Sequence, residues 1–505
     1  MWRSLGIALV CVACRAQTPA PREAPTRLVV GYPTGLDSPD PIAVMDSFSR
    51  SILANVYEPL VDFDADLGMV PALAESWHMP DELTWDFELR PGVRLHDGRR
   101  LTAEIVARSL ERARSDPASK LRAELQSVEQ IQALGPATVR IRTRFAFAAL
   151  PSQLASVPIS DLSAPGETPA GTGPYRLRSW APGKSVFLEA FGAHRAGPPG
   201  VRSLEFRVIE DRSRRLQALA RGEIQMITGL DAKQAGLAAA LKGVATASRR
   251  GLRMVFLAMD CARERTPYAS AVRNPFRDPR VRRSVALSLD RNALVRGALA
   301  GEAEIATQVL APKVFGLGAE LAPIPHAPAQ ARALLAAAGF GGGFDVTLDL
   351  SAPEFADLGV AEALVRDLAA IRISTRLRPQ STRELLARVE TRDTSFYLTP
   401  WTGTSGDFGI TADYLLHTRA EGHGQGNGGG YSSPRLDRLL DAASRTVEPV
   451  DRRALLEAAA AQLHKDLPLV PIYRDTDRYA LREGLVFKPR LDRQVRALEM
   501  RWRVP

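Results

Sequence analysis

Apolar positions along this chain recur in two rhythms: in some stretches they alternate with charged residues, and in others they return every three or four. Leu28-Val29-Val30-Gly31-Tyr32 reads as a strand, and Pro33 to Pro41 as loop. Residues 45–56 carry Ile52, Leu53 and Val56 at helical spacing. Trp85 to Arg90 has period two, Pro91-Gly92 turns the chain, and His96-Asp97-Gly98 turns it again. Thr102 stands where it can cap a helix over residues 103–112, with Glu104 favourably placed against its dipole. Val139 to Thr143 alternates as a half-buried antiparallel strand. Residues 175–180 and 185–191 form a hairpin around Pro182-Gly183-Lys184, followed by a strand at 204–209 and a helix at 213–220 that Gly222 ends.

Helices are predicted over 280–289 and 327–338, the second closed by Gly339. Residues 344–350, 360–371 and 373–377 make a strand–helix–strand unit, hence an α/β lobe. Phe396-Tyr397-Leu398 is a strand leading to Trp401, and residues 402–408 are loop. Residues 422–430 form a glycine-rich, mobile loop, 434–444 and 451–466 are helices, and 469–473 is a late strand. The pattern is α/β, with mixed sheets flanked by helices.

Gly171-Thr172-Gly173-Pro174-Tyr175 is the most position-specific backbone in the chain. Its glycines allow positive φ or close backbone approach, and the proline fixes φ and removes a donor, so it is a shaped turn feeding a strand. A phosphate loop would open a helix with Lys-Ser or Lys-Thr where this chain has Tyr175-Arg176.

At 505 residues the chain should hold two or three domains. Its net charge of +9 comes from scattered arginines without a dense basic run beside aromatic platforms, which disfavours nucleic acid as a partner. Met1-Trp2-Arg3 and the apolar run to Ala13 read as a secretory signal, placing the mature protein outside the cytoplasm in the periplasm or cell envelope. Cys11-Val12-Ala13-Cys14 resembles a lipoprotein box in which Cys14 becomes the lipid-bearing terminus; cleavage after Ala16 is the alternative. The proline-bearing segment that follows favours the tether of a lipoprotein. Of the 3 cysteines only Cys261 lies in the mature chain, so no internal disulfide or cysteine metal cluster is expected, and it reads as buried and inert.

No Gly-x-Ser-x-Gly elbow occurs, and no carboxylate pair stands out. His417 and His423, six residues apart across the glycine-rich loop, read as separate surface histidines rather than ligands. Neither catalytic residues, a metal nor a cofactor is expected.

Several stretches together resemble one family. They are Asn55 to Leu60, Val70 to Trp77, Phe87 to Gly98, Gly171 to Tyr175, Phe276 to Val281 with Leu289-Asp290-Arg291, Ala331 to Leu335 with Ala338-Gly339-Phe340, and Asn427 with Gly430 to Pro434 and Asp437. Jointly they are similar to the solute-binding proteins of peptide/nickel-type ABC importers, the extracytoplasmic family 5 group. The resemblance implies a bilobal periplasmic-binding-protein-like fold of class II type with an inserted domain. Residues 1–16 would be the signal and 17–27 a tether. A discontinuous lobe would hold residues 28–48, 171–261 and 480–505, an inserted lobe 49–170, and a third lobe 262–479. It further implies a monomer that captures an oligopeptide or similar polar solute between the first and third lobes and hands it to a membrane permease. A sensor or docking protein on the same scaffold, or a binder of a metal chelate or sugar, is the alternative. The candidate ligand contacts are Tyr32, Gly173, Trp401, Gly403, Thr404 and Asp407. Peptide binders of the family carry an aspartate shortly after the tryptophan to hold the α-ammonium group. Here Thr404 stands three after Trp401, and Asp407 could serve only if the loop is longer. Gln225, where the family has aspartate, reads as structural.

Overall fold

The computed structural model describes residues 26–163, 168–308, 317–318, 321–351, 359–403 and 405–503. Two long antiparallel strands, Val244–Met259 and Leu469–Arg482, run through the middle of an 11-stranded sheet. On one side the sheet continues through Phe396–Thr402, Phe344–Ser351 and Ile373–Gln380. On the other it continues through Met226–Thr228, Arg27–Tyr32, Ser203–Val208, Ser185–Ala190 and Tyr175–Ala181. The two central strands change register between Arg250 and Met254: Val244 to Arg250 pair with Arg482 to Thr476, and Met254 to Ala258 with Arg474 to Leu469. A break of this kind bends and twists the strands it interrupts.

Each side has its own core. The N-terminal strand contributes Leu28, Val30 and Tyr32 to a cluster with Phe206, Tyr175 and Tyr479. Across the register break, Val255 and Leu257 pack with Phe276, Leu348, Leu364 and Phe396. The predicted strand–helix–strand unit is present as Phe344–Ser351, helix Gly359–Ala369 and Ile373–Gln380, with the two strands parallel. A third core belongs to a four-stranded antiparallel sheet covered by helix Ala103–Ser115, in which Phe87, Ile141, Val106 and Leu110 are fully or almost fully buried.

Local chemistry sets the boundaries. The first helix is shorter than its apolar spacing predicts, Ser47–Leu53, with Asp46 accepting from the Ser49 amide at its start. Just beyond its end, the Asn55 side chain donates to the Ser51, Ile52 and Val495 carbonyls. Thr102 occupies the N-cap of Ala103–Ser115 but makes no capping hydrogen bond to the helix backbone. Strand Thr84–Leu89 is buried along most of its length, Asp86 included, because Arg140 on the neighbouring strand covers that carboxylate with two 2.7 Å hydrogen bonds. Helices Arg212–Ala220 and Pro328–Ala337 end before Gly222 and Gly339, whose φ angles of 75° and 85° favour glycine.

Candidate functional site

The largest described cavity, about 860 Å³, lies where the central strands change register. Tyr32, Thr228 and Tyr479 wall it from one half of the sheet, Arg253 and Thr402 from the other, and Phe48 and Arg50 from the first helix. A second cavity of about 410 Å³ shares Met45, Arg50, Ser156 and Thr402 with the first, so the two form one cleft; Trp401, Gly403, Phe145 and Phe147 line this further part.

The larger cavity carries six arginines and four carboxylates among the described residues. Most of these charges are already engaged. Arg496 is paired with Asp62, Arg493 donates to Asp477 at 2.7 Å, Arg253 pairs with Asp475, and Arg215 donates to the Glu210 carbonyl at 2.8 Å. Arg50 differs. Its guanidinium donates to the Ser156 carbonyl at 3.2 Å, and the described residues place no carboxylate within ion-pairing distance of it. Burial pulls its pKa below the ordinary arginine value, against the pull of Glu124, Asp492 and Asp46. A half-buried cation with only a carbonyl for hydrogen-bond partner is a receptor for a ligand carboxylate. Arg50 carries no motif in the sequence; only the packing of its short helix against the cleft reveals it.

The predicted contacts divide. Tyr32 lies on the cleft wall, with its hydroxyl 2.9 Å from Ser51 Oγ and its ring edge-on to Phe48. Trp401 and Gly403 line the second cavity. The Trp401 ring stacks on Tyr414 at 5.1 Å, and its buried Nε1 has no hydrogen-bond partner. Thr404 lies outside the described residues. Asp407 is 1% exposed and caps helix Phe408–Leu416 by accepting from the Ile410 amide, while Arg452 holds its carboxylate at 2.8 Å. It does not line the cleft, and its oxygens already have partners, so an ammonium anchor there has no free acceptor to rest on.

Gly173 is set back from the cleft. A Cβ on Gly171 would stand 2.2 Å from the Val56 carbonyl oxygen, and one on Gly173 would stand 2.6 Å from the Val56 carbonyl carbon. The glycines are therefore needed for close approach, since neither has a positive φ. The Gly173 amide donates to Val56, and His96 donates from Nε2 to the Gly173 carbonyl, both at 2.9 Å. Desolvation pushes His96 down to about 4, which keeps it neutral beside that turn at ordinary pH. Gln225 is structural: its side chain accepts from the Val29 amide and donates to the Gly222 carbonyl.

Two readings of the histidine region change. The glycine-rich loop is packed: a Cβ on Gly424, Gly426, Gly428 or Gly429 would fall 2.2–2.4 Å from His417, Tyr414, Val389 or Met259. His417 and His423 are not separate surface groups, because the loop folds back and stacks their rings at 4.4 Å. Cys261 is half-buried, and desolvation pushes its thiol up to about 11, so it is a poor nucleophile.

No helix among the described residues is long and apolar enough to cross a membrane. The family model "Bacterial extracellular solute-binding proteins, family 5 Middle" matches residues 68–422. The glutathione-binding protein GsiB of Salmonella typhi is 28% identical over 471 residues, 90% of each chain. Among solved structures, the substrate-binding protein CtaP of Listeria monocytogenes superposes with a TM-score of 0.83 at 20% identity, over 95% of this chain and 100% of its own. The periplasmic binding protein DppA of Helicobacter pylori, in complex with the peptide STSA, gives 0.77 at 22% identity, over 94% and 98%. A sheet split by a register break, a cleft at that break and a family match over most of the chain agree: this protein belongs to the family 5 bacterial extracellular solute-binding proteins, the binding components of ABC importers.

Proposed function

We propose that this protein captures a short peptide bearing at least one free carboxylate and delivers it to the permease of an ABC importer. Arg50 carries the reading: it is a half-buried guanidinium at the junction of the two cavities, with no carboxylate at ion-pairing distance among the described residues. A cavity of about 860 Å³ lies within the range of small-ligand sites, and the adjoining 410 Å³ extends it toward Trp401. Tyr32, Trp401 and Gly403 serve as apolar and backbone walls. Gly173 acts indirectly, by seating one part of the fold on another. The relatives that bind glutathione and the peptide STSA support a peptide-class solute.

The protein works as a monomer and catalyses nothing. Cys14 carries a lipid that tethers it at the cell envelope. Fatty-acid labelling of the parent, lost in Cys14→Ala, is the expected result; equal labelling of both, or none in either, removes the anchor. For the ligand, mass spectrometry of the small molecule released on denaturing freshly purified protein should show a peptide mass. A sugar or a metal chelate in its place would overturn the peptide reading while leaving the cleft as the binding site.

A further inference from the structure

Asp413 and His417 lie four residues apart, Asp413 on the last turn of helix Phe408–Leu416 and His417 at its C-terminal cap. The chain then loops back: the Gly424 amide donates to the Asp413 carbonyl at 3.2 Å, and Asn427 Nδ2 to the His417 carbonyl at 2.9 Å. This return brings His423 Nδ1–H to Asp413 Oδ1 at 2.6 Å. One potential ligand atom from each of Asp413, His417 and His423 lies within 4.8 Å of the others.

His417 is the informative member. It is 6% exposed, and its Nδ1 lies 2.7 Å from the Thr418 carbonyl oxygen, which can only accept, so Nδ1 carries the proton. Its Nε2 is buried without a hydrogen-bond partner and lies 3.5 Å from Asp441 Oδ1, on helix Pro434–Arg445. A ring nitrogen lone pair and a carboxylate oxygen facing one another call for a cation. A histidine whose far nitrogen is fixed by a backbone carbonyl is the usual form of a metal-ligating imidazole.

We propose that Asp413, His417 and His423, with Asp441 beside them, bind a divalent transition-metal ion. Two imidazole nitrogens with carboxylate oxygens suit Zn²⁺, at about 2.0–2.2 Å from each donor. Gathering the donors to those distances requires the His423 ring to turn out of its stack; the neutral ring keeps its one proton on Nδ1 and presents the Nε2 lone pair to the ion. Asp413, His423 and Asp441 all line the 410 Å³ cavity, which gives the ion a path in. Bound there, it would cross-link two helices and the glycine-rich loop. Next to it Gln126, from the chain segment leading into the four-stranded sheet, donates to the Gly422 carbonyl at 3.3 Å, so the ion stiffens one wall of the cleft.

The test is metal retention by the mature chain, stripped with chelator and freed of solute, so that it reads independently of the peptide proposal. After one equivalent of Zn²⁺ and gel filtration, elemental analysis should find one Zn²⁺ per chain. His417→Ala and His423→Ala should each weaken retention at least tenfold, and Asp413→Asn, which keeps the side chain's size, should weaken it as well. The exposed His78→Ala should retain the metal as the parent does. Circular dichroism of the metal-free variants confirms that they are folded. Failure of the parent to retain Zn²⁺, or retention unchanged across the three site variants, overturns the site.

Discussion

Gly173 donates its amide to Val56, and its missing side chain is what allows the turn to lie against that backbone. Gly173→Val would push two branches into main-chain atoms that have nowhere to move, so thermal unfolding should show a loss of about 3 kcal/mol. Unchanged stability would remove the turn as a junction between parts of the fold. Asp477 makes a different prediction. Burial pushes it up from 3.8 to about 6, although Arg493 donates to it. The folded protein therefore keeps a proton that the unfolded chain gives up between roughly pH 4 and 6, so this residue's contribution to stability falls as pH rises through that window. Asp477→Asn should flatten the fall, read as urea midpoints at pH 4.5 and 7. A slope identical to the parent's would contradict the assignment. The glycine pair was legible in the sequence because spacing alone demanded a tight turn. Arg50 was not, since one arginine among 66 cationic residues gains meaning only when a helix seats it in a cleft with no carboxylate at ion-pairing distance.

At the scale of elements, periodicity located most of the helices and strands, and the parallel pair Phe344–Ser351 and Ile373–Gln380 followed from its strand–helix–strand pattern. The failures have side-chain causes. Period two in the strand around Asp86 does not reveal its cover by Arg140, a residue 54 positions away in sequence. In the loop after Trp401 the candidate ammonium anchor, Asp407, instead starts the next helix and pairs with Arg452. Asp407→Ala removes a cap and the carboxylate partner of half-buried Arg452, which should cost about 1–3 kcal/mol in denaturant unfolding. Because the carboxylate does not line the cleft, solute affinity should change by less than about twofold. A large loss of affinity with stability intact would restore the anchor. A spacing of six residues suggests that His417 and His423 stand apart, whereas close-packed glycines let the loop double back.

On the scale of the whole molecule, the two central strands are the continuous link between halves of one sheet, and their register break falls beside the larger cavity. Under the proposed function, small rotations about such a break would change the cleft's width while each half keeps its own core, which would couple occupancy to a shape that a permease can read. Under the proposed function, binding depends on charge inside that cleft. The most direct measurement is calorimetric titration of ligand-stripped protein with glutathione and a panel of short acidic peptides, run beside Arg50→Ala. Saturable one-to-one binding to the parent, weakened roughly 10- to 150-fold in the variant by the loss of a charge-assisted hydrogen bond, is the predicted result. Equal affinity in the two proteins, or no binding by any member of the panel, would contradict it.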